Sequence, residues 1–160
     1  HPPPPPPHHH PTPRRQRQMC IRDRPYKYST LMPGVMETLN FFYERKILMG
    51  ICTNKRQFVT EKLIQEMNLS KFFTTIVGAR DNIPLKPKPN MLILTMEGFN
   101  TTNKMFYMVG DTSNDIDAAK AANIKSIAVA GGYTDKDVNN LGATHTLKNM
   151  KDIIKLLGLS

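Results

Sequence analysis

The chain reads as an α/β protein, a layer sandwich built around a parallel sheet. Three features predict this. From Pro25 onward, short strand signals alternate with segments of helical period. The strand signals are continuous apolar runs without amphipathic alternation, as expected of strands covered on both faces. The spacing between runs leaves room for the helical crossovers that parallel strands require. No internal repeat interrupts the pattern.

LMPGVMETLNFFYERK is the first predicted helix, with Pro33 in its first turn and Val35, Leu39, Phe42 and Lys46 at helical spacing. KILMGICTN is a short buried strand. RQFVTEKLIQEMNL places Val59, Leu63, Ile64 and Met67 on one helical face, and FFTTIVGA is a second strand. PNMLILTMEGF is a helix opened by Pro89. MFYMVGD is a third strand, followed by a helix through DAAKAAN that Asn123 terminates. KSIAVAGG is a fourth strand, HTL a short edge strand, and NMKDIIKLLGL a closing helix with Ile153, Ile154 and Leu157 apolar.

The first 24 residues differ in texture. HPPPPPPHHHPTPRRQRQMCIRDR holds eight of the 13 prolines and four of the 5 histidines. Such a segment buries no core and is predicted disordered or polyproline-like. RRQRQMCIRDR looks like translated sequencing-adapter read-through, so residues 1–25 are read as an artefactual leader and residues 26–160 as the folding unit. The leader has no apolar central region or small-residue cleavage site, so it is not a secretory signal. Its five arginines, less the single acid Asp23, supply nearly half of the net charge of +9, and the excess that remains suits anionic small substrates. No basic stripe interleaved with aromatics points to nucleic acid. No apolar run approaches the roughly 20 residues that span a bilayer. Two cysteines are too few for a disulfide framework and predict a reducing, cytoplasmic setting.

In parallel sheets ligands gather beyond the carboxyl ends of the strands, and each apolar run here ends in informative polar residues. The first ends in Thr53-Asn54-Lys55. A hydroxyl followed by backbone N–H groups at a helix start makes an anion nest, although the same residues serve equally as a helix cap. After the second strand comes NIPLKPKPNML, where prolines 84, 87 and 89 stiffen a loop. Lys86 held there sets an ammonium over a phosphate, or simply stays solvated beside a turn. After the third strand comes GDTSND, in which Gly110 permits an unusual backbone. Asp111 and Asp115, four apart across the strand-to-helix turn, suit one hard cation such as magnesium, or else Asp115 and Asp117 merely offset a helix dipole. Together the three signals equip one rim for phosphoryl transfer, where catalysis is mostly positioning and charge neutralisation.

The order PGV, strand-TNK, KPKP, VGDTSNDIDAAKAA and GGY resembles the haloacid-dehalogenase superfamily, and within it the phosphoglycolate phosphatase group, over roughly Leu31 to Leu157. The resemblance implies a three-layer, Rossmann-like α/β/α core and a magnesium-dependent phosphatase acting on a small phosphorylated metabolite, with 2-phosphoglycolate as the leading substrate. It implies that Thr53 and Asn54 bind phosphate, that Lys86 bridges nucleophile and phosphate, and that Asp111 and Asp115 hold Mg2+. Thr53 and Lys86 would be the catalytic residues in this chain. Lys88 matches the lysine position less well, and Asp117 lies beyond the acidic motif.

One departure matters. The family opens with an apolar strand ending in D-x-D-G-T, whose first aspartate attacks phosphorus, and then inserts a helical cap. Nothing in residues 1–32 matches either part, and Asp23 lacks a partner two residues on. No nucleophile is therefore assigned. The first strand and the cap are expected to be missing, which would leave a gap in mid-sheet about 10 Å wide. The chain is expected to be marginally stable and without turnover. The rival readings are a beta-phosphoglucomutase-like sugar-phosphate mutase, a halide-removing relative, a receiver-type module and a non-catalytic phosphate-binding module.

Overall fold

The computed structural model describes residues 29–102, 105–131 and 137–159. The predicted disorder of the leader, the expected boundary after residue 25, and Asp23 all lie outside the described residues, as do Gly132 and Tyr133 of GGY.

Helix α1 is Val35–Glu44, strand β1 Gly50–Arg56 and helix α2 Gln57–Glu66. A 3-10 turn at Ser70–Phe72 leads to β2, Thr75–Ala79, and then to α3, Asn90–Glu97. Strand β3 is Tyr107–Gly110, α4 Ser113–Ala121 and β4 Lys125–Val129. A second 3-10 turn at Val138–Leu141 precedes β5, His145–Leu147, and α5, Asp152–Leu156. Every predicted strand and helix is present, in order.

Side-chain alternation along the strands defines three layers, because neighbouring residues point to opposite faces. On β4, Ile127 and Val129 pack with Phe42 of α1 and Ile153 of α5, whereas Ala128 packs with Ile116 of α4. On β3, Tyr107 and Val109 join the α1 and α5 side, and Met108 meets Leu92 of α3 and Ala118 of α4. On β1, Ile51 faces Ile64 of α2 while Cys52 turns toward the α3 and α4 layer. Helices α1, α2 and α5 thus cover one face, and α3 and α4 the other.

All pairings are parallel, but the strands form two sheets: β1 with β2, and β3-β4-β5 in that order. Between them β1 and β3 line one apolar cavity of about 530 Å³. This corrects the expectation that KILMGICTN is a buried strand. No residue of β1 is fully buried, and among the described residues one edge of the strand faces that cavity rather than a paired strand.

Three local expectations are also corrected. Pro33 lies ahead of α1 rather than in its first turn, and Gly34 is the N-cap with φ 81°. Lys46 is outside α1 in a left-handed conformation, φ 55°, and is exposed, so it ends the helical pattern rather than extending it. Gly110 does not have positive φ among the described residues. Its requirement is spatial: a Cβ there would stand 2.5 Å from Cγ and Oδ2 of Asp115. Asn123 does terminate α4, with φ 55° and Ile124 N–H donating to the Ala119 carbonyl.

Candidate active site at the carboxyl ends of the strands

Strand β1 runs four residues beyond its apolar part, which ends at Cys52. Arg56 pairs with Ala79 after a register shift, so residues 53–56 stay extended and α2 begins only at Gln57. Neither Thr53 nor Asn54 is therefore a helix cap. The N-cap is Arg56, which makes no side-chain cap bond. The Thr53 hydroxyl accepts from Lys55 N–H at 3.2 Å, which takes up one N–H of the expected nest.

Asn54 has a different use. Its amide Nδ2 donates to the Lys86 carbonyl at 2.9 Å, and its Oδ1 accepts from the Lys86 N–H at 3.0 Å. One side chain thus holds both backbone groups of Lys86 and fixes where the lysine stem departs. The Lys86–Pro87 peptide is cis. Lys86 is buried, with its Nζ donating to the Cys52 carbonyl at 2.6 Å and to Asp115 Oδ1 at 2.6 Å. An ammonium has three protons, so among the described residues one remains to be given to a further acceptor.

Asp115 is also buried. Its Oδ2 accepts from the Thr112 N–H at 3.1 Å and from the Thr112 hydroxyl at 2.8 Å, across the first turn of α4. The acid is therefore both a helix-terminus partner, as T-x-x-D leads one to expect, and the counter-ion of Lys86. Asp111 sits half-buried at the start of the same turn. Asp117 faces outward and meets Lys120 at 3.8 Å, an exposed pair of little energetic weight. Lys88 is exposed.

The structure therefore gathers Asn54, Lys86 and Asp115 into one hydrogen-bonded network, with Thr53 between two residues that touch Lys86 and Asp111 on the turn that carries Asp115. Two contributors, Cys52 and Gln57, were not read from the sequence. The Cys52 carbonyl became a ligand of Lys86 only through a contact 34 residues apart. Burial pushes the Cys52 thiol above its ordinary range, an effect opposed by the positive charge of Lys86. Gln57 secures the start of α2 to β2: its Nε2 donates to the Ile76 carbonyl at 3.0 Å and its Oε1 accepts from Gly78 N–H at 2.5 Å. No local pattern announces such a role. Beside the network lies an open pocket of about 640 Å³, lined by Arg56, Arg80 and Lys88 against one acid, Asp81.

Among the described residues no three or more His, Cys, Asp or Glu side chains form a metal cluster. The donor set at this rim is two carboxylates on one turn. That set fits magnesium, which is commonly held by one or two carboxylates together with waters and substrate oxygens. Among the described residues no helix is long and apolar enough to cross a membrane.

Residues 14–129 match the family of haloacid dehalogenase-like hydrolases. The phosphoglycolate phosphatase of Escherichia coli K12 is 30% identical over 130 residues, which cover 81% of this chain and 52% of that protein. The phosphoglycolate phosphatase of Mesorhizobium japonicum is 38% identical over 117 residues, 73% of this chain and 49% of that one. The chain spans about half the length of these curated relatives. Among solved structures, a predicted phosphoglycolate phosphatase from Haemophilus somnus superposes with TM-score 0.80 at 23% identity, over 89% of this chain and 64% of that one. A HAD phosphatase from Thermococcus onnurineus gives TM-score 0.72 at 21% identity, over 89% and 64%. These likenesses show the same α/β fold, and with the family match they establish that the chain belongs to the haloacid dehalogenase-like hydrolases.

Proposed function

We propose that this chain carries the phosphate-binding rim of a phosphatase that hydrolyses a small phosphorylated metabolite, with 2-phosphoglycolate as the leading substrate. The Asn54–Lys86–Asp115 network is the observation that supports the reading most directly. A lysine is buried, fixed through both of its backbone groups, and left with one ammonium proton to offer. A preorganised cation of this kind neutralises charge on a transferring phosphoryl group without reorganising when the group arrives. The Thr53 hydroxyl only accepts from the Lys55 N–H, so its own proton is a second donor for a phosphate oxygen. The backbone N–H of Asn54 is the third. The cationic pocket of Arg56, Arg80 and Lys88 favours anionic substrates by raising their local concentration.

Asp111 and Asp115 would hold Mg2+, and when bound the ion supplies charge neutralisation to the phosphoryl oxygens. Asp115 already serves Lys86 and Thr112, so it also keeps the ammonium and the α4 turn in register. The reaction assigned to the complete site is attack by an aspartate to give an aspartyl-phosphate, which water then hydrolyses. No described residue is assigned as that nucleophile, and this chain is expected to bind phosphate without turning substrate over.

The test uses the purified chain. Titration calorimetry with inorganic phosphate in the presence of Mg2+ is expected to show one site that Lys86→Met abolishes. Assays with 2-phosphoglycolate and para-nitrophenyl phosphate are expected to show no release of phosphate. Unchanged phosphate affinity in Lys86→Met would overturn the placement of the site. Turnover by the purified chain would overturn the claim that it lacks a nucleophile.

A further inference from the structure

The ends of β1 and β2 gather positive charge that the phosphate rim does not use. Arg56 closes β1 opposite Ala79, the last residue of β2, and Arg80 follows at once. Lys88, on the loop before α3, lines the same pocket. All three side chains are exposed, and among the described residues none of them has an ion-pair partner. Asp81 is the one acid on the lining, which leaves a balance of two positive charges. Cations gathered without partners repel one another, and an anion entering among them relieves that repulsion.

The backbone that carries these charges is fixed. The loop wall is folded as two turns: the Ile83 N–H donates to the Arg80 carbonyl at 3.3 Å, and the Lys88 N–H to the Leu85 carbonyl at 2.9 Å. Asn54 grips both backbone groups of Lys86 within the second turn. On the strand side, Gln57 holds β2 at Ile76 and Gly78, just before Ala79. A ligand therefore has side chains to order but little backbone, which lowers the cost of binding. Ile83, Pro84 and Leu85 add apolar surface to the lining, and Leu85 stands 44% exposed. Thr53, Lys86, Asp111 and Asp115 do not line this pocket, and Asn54 is the residue that it shares with the phosphate rim.

We propose that this pocket binds a small organic dianion, separate from the phosphate rim, with carboxylate or phosphate groups at the cations and a carbon skeleton against Ile83, Pro84 and Leu85. The planar forks of Arg56 and Arg80 match the oxygens of either group, and Lys88 adds a point charge. Two negative charges offset the balance of the lining, whereas a monoanion leaves one cation unmatched. An inorganic anion leaves the apolar part of the lining in water, where its burial would be favourable. The volume of about 640 Å³ lies within the roughly 300–1,000 Å³ of small-molecule sites. Nucleic acid calls for cations spread along the path of a strand, and here they meet in one concavity. The proposal does not depend on the phosphatase reading.

The probe is adipate, a flexible aliphatic dicarboxylate, with hexanoate and adipamide as controls of single and zero charge. NMR of the purified full chain at low ionic strength follows the backbone amides during each titration. Adipate is expected to shift Arg56 and the Arg80–Leu85 segment while leaving Gly110–Asp115 in place. Hexanoate is expected to bind about tenfold more weakly, and adipamide to cause no shift. Arg56→Gln and Arg80→Gln, each made at an exposed side chain, are expected to weaken adipate by about fivefold or more. Asp81→Asn is expected to tighten it by about threefold, a gain that no loss of fold can imitate. Shifts centred on Gly110–Asp115, equal affinity for hexanoate, unchanged affinity in both arginine variants, or no tightening in Asp81→Asn would overturn the proposal. So would the absence of any shift at millimolar adipate. Binding of an oligoglutamate peptide without binding of adipate would assign the pocket to an acidic protein partner and overturn it as well.

Discussion

Replacing Lys86 with methionine strips the ammonium from a buried carboxylate while keeping an unbranched stem of similar volume, so little packing is lost. The magnitude follows from the geometry. Lys86 Nζ and Asp115 Oδ1 are 2.6 Å apart, with the two side chains 7% and 9% exposed, so the pair is not a surface ion pair. Removing one partner of a buried pair leaves an uncompensated charge, which costs about 3–5 kcal/mol. The Cys52 carbonyl also loses its donor. For a domain with about 5–15 kcal/mol in total this is a large fraction, and it corresponds to a fall in Tm of roughly 6–20 °C. Urea unfolding followed by circular dichroism measures it directly, with the slope checked for constancy between variants. Pairing Lys86→Met with Asp115→Asn closes a double-mutant cycle. The double variant is expected to be more stable than the sum of the single losses by about 1–3 kcal/mol, because the amide that replaces the carboxylate carries no unpaired charge and still accepts from Thr112. A loss below about 1 kcal/mol in Lys86→Met, or strict additivity in the cycle, would refute the claim that the pair is desolvated and coupled.

Other substitutions probe the supports of the same network. Asn54→Ala removes two hydrogen bonds to the Lys86 backbone and is expected to lower stability by about 1–3 kcal/mol in urea unfolding and to weaken phosphate binding measured by calorimetry. Gly110→Ala drives a methyl group against the carboxyl of Asp115, and is expected to cost about 1–3 kcal/mol and to displace the acid from Lys86, visible as weakened magnesium binding by calorimetry. The Cys52 thiol, raised by burial, holds its proton more tightly in the folded than in the unfolded chain. Above the thiol's usual pKa near 9.0 the unfolded chain ionises first, so stability falls as pH rises through that region, and Cys52→Ala is expected to flatten the fall in urea unfolding at successive pH values.

The alternation of strands and helices was legible because each apolar run is bounded by residues with strong local preferences. Asn123, for instance, takes the left-handed conformation that ends α4, as a residue with that tolerance should. The rim of the site was legible for a related reason: polar residues that follow an apolar strand in a parallel sheet have few places to go but the carboxyl-terminal edge. What could not be read depended on partners distant in the chain. The extension of β1 to Arg56 exists only because Ala79 pairs with it, and local propensity carries no record of that pairing. The half-burial of β1 depends on what stands beside it, not on its own composition. Gly110 was read through backbone freedom, the commonest reason for glycine, whereas the cause is the approach of Asp115 five residues on.

These distinctions change what the acidic motif means. Read as a metal site alone, GDTSND needs only two carboxylates aimed at one point. In the folded chain Asp115 spends one oxygen on the α4 turn and the other on Lys86. The helix start, the lysine and the carbonyl of β1 are therefore held by one side chain. On the proposed reading, Asp115 would be shared between a divalent ion and Lys86, and Lys86 would offer an incoming anion the ammonium proton not used by Cys52 or Asp115. Lys86 and a cation would compete for the Asp115 carboxylate, and a phosphate that takes up the charge of Lys86 would relieve that competition. Binding of phosphate and of magnesium should accordingly be mutually favourable, with the coupling carried through Lys86 and lost when that residue is neutral.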